Sequence, residues 1–122
     1  VILADTSIWV DHFRCNDPRL EHSLNREDVF MHPLVLGELA MGNLIPRAPR
    51  LADLMDLPVI EVATDDEVLR FIELQKLFGT GIGYIDAHLL VAVTLTVESK
   101  LWTRDKLLEA AAARLGLSQN SP

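Results

Sequence analysis

Val1-Ile2-Leu3-Ala4-Asp5-Thr6-Ser7-Ile8-Trp9 is the segment on which the fold turns. Four consecutive apolar residues without alternation fit a short strand buried on both faces, as in a parallel sheet. Asp5-Thr6-Ser7 then supplies three good helix-capping residues in a row. This predicts a first helix over Ser7 to Arg14, carrying Ile8, Trp9, Val10 and Phe13. A buried strand running directly into a helix is the opening of an α/β unit. A carboxylate, Asp5, stands at the junction.

The same alternation continues outward. Asn16-Asp17-Pro18 punctuates the chain before a short helix at Arg19 to Asn25, and Val29-Phe30-Met31 reads as a second strand. Pro33 opens a helix that holds Leu34, Val35, Leu36, Leu39 and Ala40 and stops near Gly42-Asn43. A turn at Ile45 to Arg50 leads to a helix over Leu51 to Asp56, and Pro58 precedes an expected third strand, Val59 to Val62. Thr64-Asp65-Asp66-Glu67 has the form of a capping box for an amphipathic helix with Val68, Phe71, Ile72, Leu74 and Leu77 as its stripe, expected to end at Gly79. Tyr84 to Thr96 is apolar nearly all round, which predicts a core helix. Lys100 to Thr103 is the expected fourth strand, and Arg104 to Leu115 the final helix, with a run of four alanines. The expectation is an α/β domain over residues 1–117, a short, mostly parallel sheet covered on both faces, and a frayed tail at 118–122.

The chain has 122 residues, 49% of them hydrophobic and 24% charged, with a formal net charge of −7. One domain of this size buries a sufficient core without disulfides or a structural metal. Cys15 stands alone, which excludes an internal disulfide and a cysteine-based zinc site and favours a reducing compartment. No apolar run approaches a membrane span, and Val1 to Asp5 lacks the basic region and cleavage site of a signal peptide. A cytoplasmic location is expected. Taken alone, the acidity argues against a protein that grips nucleic acid by coating phosphates.

Four carboxylates occupy special places. Asp5 follows the first strand, Asp105 follows the last, Asp86 lies in the first turn of the most apolar helix, and Glu38 sits between Leu36 and Leu39. Singly, each Asp is equally well explained as a helix cap or a favourable first-turn charge, and Glu38 as part of an exposed stripe. Together they mean more, because open α/β sheets bind ligands beyond the carboxyl ends of their strands, where the three Asp map. Clustered carboxylates repel unless protonated or bridged by a cation, and an all-oxygen set selects Mg²⁺ or Mn²⁺ over zinc. Such a set suits hydrolysis of a phosphodiester, with Asp5, Asp86 and Asp105 as ligands and Glu38 orienting water or completing the cation shell. Thr6, Ser7 and Thr103 are placed to hydrogen-bond the carboxylates, or simply to cap helices. Removing the four acids from the count leaves −7 + 4 = −3, so net charge does not exclude RNA.

The order and spacing of Asp5-Thr6-Ser7-Ile8-Trp9, Leu36-Gly37-Glu38-Leu39-Ala40, Gly81-Ile82-Gly83-Tyr84-Ile85-Asp86-Ala87-His88 and Leu101-Trp102-Thr103-Arg104-Asp105-Lys106 resemble the PIN-domain nucleases. The likeness is greatest to the VapC toxins, the single-domain ribonucleases of toxin–antitoxin pairs, and covers Val1 to about Leu115. It implies a three-layer α/β/α sandwich, a Mg²⁺-dependent endoribonuclease (Mn²⁺ substituting), a homodimer, and a VapB-like antitoxin whose tail blocks the site. Carried over by position, the acidic set is Asp5, Glu38, Asp86 and Asp105. The chain departs from the family in having Leu107-Leu108 where an aromatic often follows the last Asp. Glu109 is the nearest further acid.

Arg104 and Lys106, which flank Asp105, are candidates for phosphate contacts, as are Arg14, Arg47 and Arg50; a solvated turn is the better explanation of the last two. Trp9 and Phe13, one turn apart, are candidates for core or for an antitoxin groove. His88 is expected to be a packed histidine and His12 a surface one. Gly79-x-Gly81-x-Gly83 follows a helix rather than a strand, and so is a loop that sets Asp86 rather than a dinucleotide fingerprint. Three other classes fit less well. A receiver domain needs an acidic pair where Thr6-Ser7 stand, and a haloacid-dehalogenase-like phosphatase needs an Asp at Ser7. A non-catalytic PIN-like binding module has no reason to keep all four acids.

Overall fold

A computed structural model describes residues 1–120. β1 (Ile2–Ala4) is the central strand of a three-stranded sheet, flanked in parallel by β2 (Val29–Phe30) and β3 (Lys100–Trp102). Its three residues are all buried, as the unbroken apolar run requires. The helices are α1 (Thr6–Arg14), α2 (Pro18–Asn25), α3 (Pro33–Met41), α4 (Arg47–Met55), α5 (Asp65–Gln75), α6 (Tyr84–Leu95) and α7 (Lys106–Arg114). The architecture is the expected PIN-like α/β/α arrangement. α6 is the core helix: Ala87 to Val93 are all buried, which is why its sequence shows no polar face.

Local chemistry explains most element ends. Asp5 caps α1 by accepting from Ile8 N, and Thr64 and Glu67 form the reciprocal capping box of α5. Pro33 opens α3 as expected, but its cap is His32, whose Nδ1 accepts from Leu34 N at 3.0 Å. α5 stops earlier than Gly79: Lys76 takes a left-handed conformation and ends the helix after Gln75. α4 starts earlier than Leu51, at Arg47. The guanidinium of Arg47 caps the end of α3 through the carbonyls of Ala40 and Gly42.

The expected strand at Val59 to Val62 does not form. Met31 N–H donates to Pro58 O and Ile60 N–H to Met31 O, which makes one isolated bridge at Val59. β2 is too short to extend it, because at His32 the partner chain turns into α3. Val59 and Val62 are consequently exposed. The tail is more ordered than expected. Leu101 N–H donates to Leu117 O and Gln119 N–H to Leu101 O, so Ser118 pairs beside β3 and is fully buried. An unpaired edge of β3 is thereby covered. Of the expected frayed tail, residues 121–122 lie outside the described residues.

Gly81 is the one glycine in the Gly79–Gly83 loop where conformation and space both matter. Its φ is +91°, and an added Cβ would stand 2.9 Å from Leu107 Cδ1 in the first turn of α7. Gly81→Ala should therefore destabilise the fold by about 1–2 kcal/mol, read as a lower urea midpoint at unchanged m-value. An unchanged midpoint would show that the loop relaxes freely.

Candidate active site

The parallel sheet sends β1 and β3 out at the same edge, and their register pairs Ala4 with Trp102. Asp5 N–H donates to Trp102 O at 3.0 Å, so the residues that follow the two strands emerge side by side. Asp5 is buried and its carboxylate is held from three directions. Ile8 N–H and Ser7 Oγ donate to Oδ1, and Thr103 Oγ1 donates to Oδ2. Each hydroxyl is itself fixed by a backbone amide: Arg104 N–H donates to Ser7 Oγ at 3.1 Å, and Asp105 N–H to Thr103 Oγ1 at 3.0 Å. Ser7 and Thr103 therefore support the Asp5 carboxylate, while the helix caps themselves are Asp5 on α1 and Asp105 on α7.

The other acids approach from separate elements. Asp105 caps α7 through Oδ1, accepting from Leu108 N at 2.9 Å, and is exposed to the site edge. Glu38, on α3, is exposed and receives a 2.7 Å hydrogen bond from Thr6 Oγ1, which ties α3 to α1. Asp86 lies half-buried in the first turn of α6. Its carboxyl is pushed up from an ordinary 3.8 to about 6, first by burial and then by the charges of Asp5, Asp105 and Glu38. The charges of the other three acids named from sequence thus all bear on Asp86. None of the ion pairs among the described residues reaches any of the four. The carboxylates are not drawn into a closed cage: among the described residues, no three acids, histidines or cysteines stand close enough to enclose an ion. The donor set fits Mg²⁺ or Mn²⁺.

The match with known proteins follows the same residues. The PIN domain family matches residues 2–114, which includes all four acids. Ribonuclease VapC32 of Mycobacterium tuberculosis, in both the CDC 1551 / Oshkosh and the H37Rv strains, is 44% identical over 97% of this chain and 95% of its own length. This chain is a PIN-domain protein of the VapC family. The crystal structure of PAE2754 from Pyrobaculum aerophilum superposes on 98% of the chain and 81% of its own, with a TM-score of 0.61 at 17% identity, a likeness of fold alone.

Around the acids of this PIN domain, the basic candidates divide by what already holds them. Arg47 caps α3, and Arg50 donates to Ile45 O at 2.8 Å while its guanidinium lies over the Phe13 ring. Arg104 lies against Asp11 and Asp17. Arg14 and Lys106 are exposed and enter no described ion pair. Trp9 is buried at 3% exposure rather than presented on the surface, yet with Phe13, Leu24, Pro46 and Leu57 it lines a cavity of about 430 Å³. Its indole N–H has no partner there. A second apolar hollow, of about 300 Å³, runs from Phe13 past Leu44 to Thr6 and Glu38, at the rim of the acid cluster. Glu109 faces away from the acids and accepts from Ser118 Oγ, so it adds nothing to the site.

His88 is packed as expected, but more specifically than its sequence indicates. Asp65 accepts from Tyr84 OH at 2.7 Å and pairs with His88 Nε2 at 3.0 Å, which joins α5 to α6 one turn from Asp86. His32 lies edge-on to His88, and burial lowers its pKa to about 4, with His88 adding to the shift. His12 is not a surface residue. It is half-buried against Trp9, and its Nδ1 accepts from Asp17 N, the capping residue of α2. Asp11, Asp17 and Asp65 were not singled out by sequence. The Asp17-Pro18 pair is a recognisable helix start, but nothing local marks these acids as partners of groups far along the chain.

Proposed function

We propose that this PIN domain is a Mg²⁺-dependent endoribonuclease, the toxin of a toxin–antitoxin pair. What supports the reading is the Asp86 carboxyl, pushed up to about 6 by burial and then by the charges of Asp5, Asp105 and Glu38, with none of the ion pairs among the described residues reaching any of the four. The name Ribonuclease VapC32, borne by a relative of nearly equal length, supports the same chemistry. Asp5, Asp86 and Asp105 hold the ion. When bound, it supplies the positive charge that polarises a phosphate and lowers the pKa of water. Glu38, steadied by Thr6, orients the attacking water on the open side of the cluster. Ser7 and Thr103 hold the Asp5 carboxyl in place by donating to its two oxygens. In-line attack leaves a 3′-hydroxyl and a 5′-phosphate. Lys106 and Arg14, with their charges unpaired, meet the RNA backbone.

A VapB-like antitoxin occupies the apolar hollows between Trp9, Phe13 and Glu38, and the remaining acidity of the chain favours a basic partner. The working unit is a homodimer in the cytoplasm. No helix among the described residues is long and apolar enough to cross a membrane. The test is cleavage of total RNA by the purified chain, with the ends mapped. Cutting with 5′-phosphate ends should appear in Mg²⁺ and vanish in excess chelator. Cleavage that persists in chelator, or that leaves 5′-hydroxyl ends, overturns the mechanism.

A further inference from the structure

The turn between β3 and α7 consists of Thr103, Arg104 and Asp105. Its outer two residues serve the acid cluster: Thr103 donates to Asp5, and Asp105 is one of the four acids. The side chain of Arg104 reaches instead to the other layer. Its Nε contacts Asp11 Oδ2 on α1, and its Nη2 lies 3.0 Å from Asp17 Oδ2 at the start of α2. Asp17 is well anchored for this: its side chain is 11% exposed, its Oδ1 accepts from Arg19 N, and its N–H donates to His12 Nδ1. Arg104 is therefore attached at both ends, by its side chain to α1 and α2 and by its own N–H to Ser7 Oγ. From the same helix α2, Arg19 lies 4.8 Å over the Trp102 ring. A single exposed ion pair contributes little. A guanidinium fork shared between carboxylates from two helices fixes direction as well as charge, and an ammonium on a flexible stem cannot span both.

We infer that Arg104 is a positioning residue: bridging Asp11 and Asp17, it holds the Thr103–Asp105 turn so that both residues stay aimed at Asp5, and it is not a phosphate contact. The kinetic part of the test rests on the nuclease reading; the other two readouts do not.

The variants are Arg104→Ala, Arg104→Lys and the double Asp11→Asn/Asp17→Asn, in which Asn preserves the helix cap while removing the charge. Amide hydrogen exchange at Asp105 and Leu108, whose N–H groups close the turn, reads its rigidity. Titration with Mn²⁺ alone, followed by calorimetry, reads the ion site. Arg104→Ala and the double variant should each speed exchange at both amides about tenfold and weaken Mn²⁺ binding about tenfold or more. Arg104→Lys should fall between these and wild type. On RNA, kcat should drop with KM and its salt dependence unchanged. A phosphate contact gives the opposite result: Arg104→Ala raises KM and flattens the salt dependence while exchange stays at wild type. That outcome overturns the inference, as does a double variant with wild-type exchange and Mn²⁺ binding. If no variant, nor the wild type, cleaves RNA, the nuclease reading fails, and exchange and Mn²⁺ binding still decide the role of Arg104.

Discussion

Asp5→Asn should abolish RNA cleavage, by at least about 100-fold in kcat/KM, while leaving the fold intact. Groups that merely support a metal ligand are worth 10- to 100-fold, so loss of a residue proposed as a ligand itself should exceed that range. The substitution keeps the shape of the side chain. Its carbonyl can still accept from Ile8 N and one hydroxyl, and the other hydroxyl can turn to accept from the new amide. It also removes one of the charges that bear on Asp86. The melting temperature should accordingly match or exceed that of wild type. Asp5→Ala is the contrasting variant. It strands the buried Thr103 hydroxyl and the Ile8 amide without an acceptor, at a cost of about 1–3 kcal/mol, so it should lose both activity and stability. Parallel turnover assays and melts on the two proteins separate the roles. Undiminished cleavage by Asp5→Asn would remove the acid cluster from the mechanism.

Relative to Asp86→Asn, the metal-free protein should lose stability as pH rises from about 4 to about 6; the variant separates this trend from the opposite contribution of His32, whose buried imidazole has its pKa lowered to about 4. Asp86 releases its proton near 3.8 in the unfolded chain but near 6 in the folded one. Between those values the folded state binds more protons, so the stability it gains from a neutral Asp86 is full below the window and lost above it. Because Asp86 is only half-buried, solvent screening reduces the effect to about 1–2 kcal/mol. Two outcomes follow at pH 7.5. Asp86→Asn should melt several degrees higher than wild type without divalent ion, since it carries neither the desolvated charge nor the repulsion. Mg²⁺ should raise the melting temperature of wild type but not of Asp86→Asn, and should do so less at pH 5, where the proton competes with the ion. A melting-temperature gap between Asp86→Asn and wild type that does not widen with pH through this window, or a Mg²⁺ response equal at pH 5 and 7.5, would contradict the raised pKa of Asp86.

How much of this was legible in sequence varied with the range of the interaction responsible. β1, α1, the capping box of α5 and the apolar core helix α6 are written in adjacent residues, and they formed where expected. The strand expected at Val59 to Val62 depended on having a partner. β2 turns away into α3 after Met31, so an apolar run with suitable propensity was left as a single bridge. The tail shows the converse. Ser118-Gln119-Asn120 has the composition of a frayed end, yet β3 offers an open edge beside it and pairs with it.

The four acids were nameable because each stands at a place that helix and strand patterns mark, and a parallel sheet must deliver two of those places to one edge. Sequence by itself determined the α/β class and the PIN-domain family, and it marked Asp5, Glu38, Asp86 and Asp105 as the candidate acids. Only the tertiary structure decided how the charges are shared. It packed Arg47 and Arg50 into structural contacts, placed Asp11 and Asp17 against Arg104, and left Lys106 and Arg14 without ion pairs among the described residues. The reason is physical. A helix cap or an apolar stripe is fixed by neighbours in the chain, whereas a guanidinium takes whichever carboxylate or carbonyl the packing brings within reach. For Arg104 and Asp17 that partner is 87 residues away.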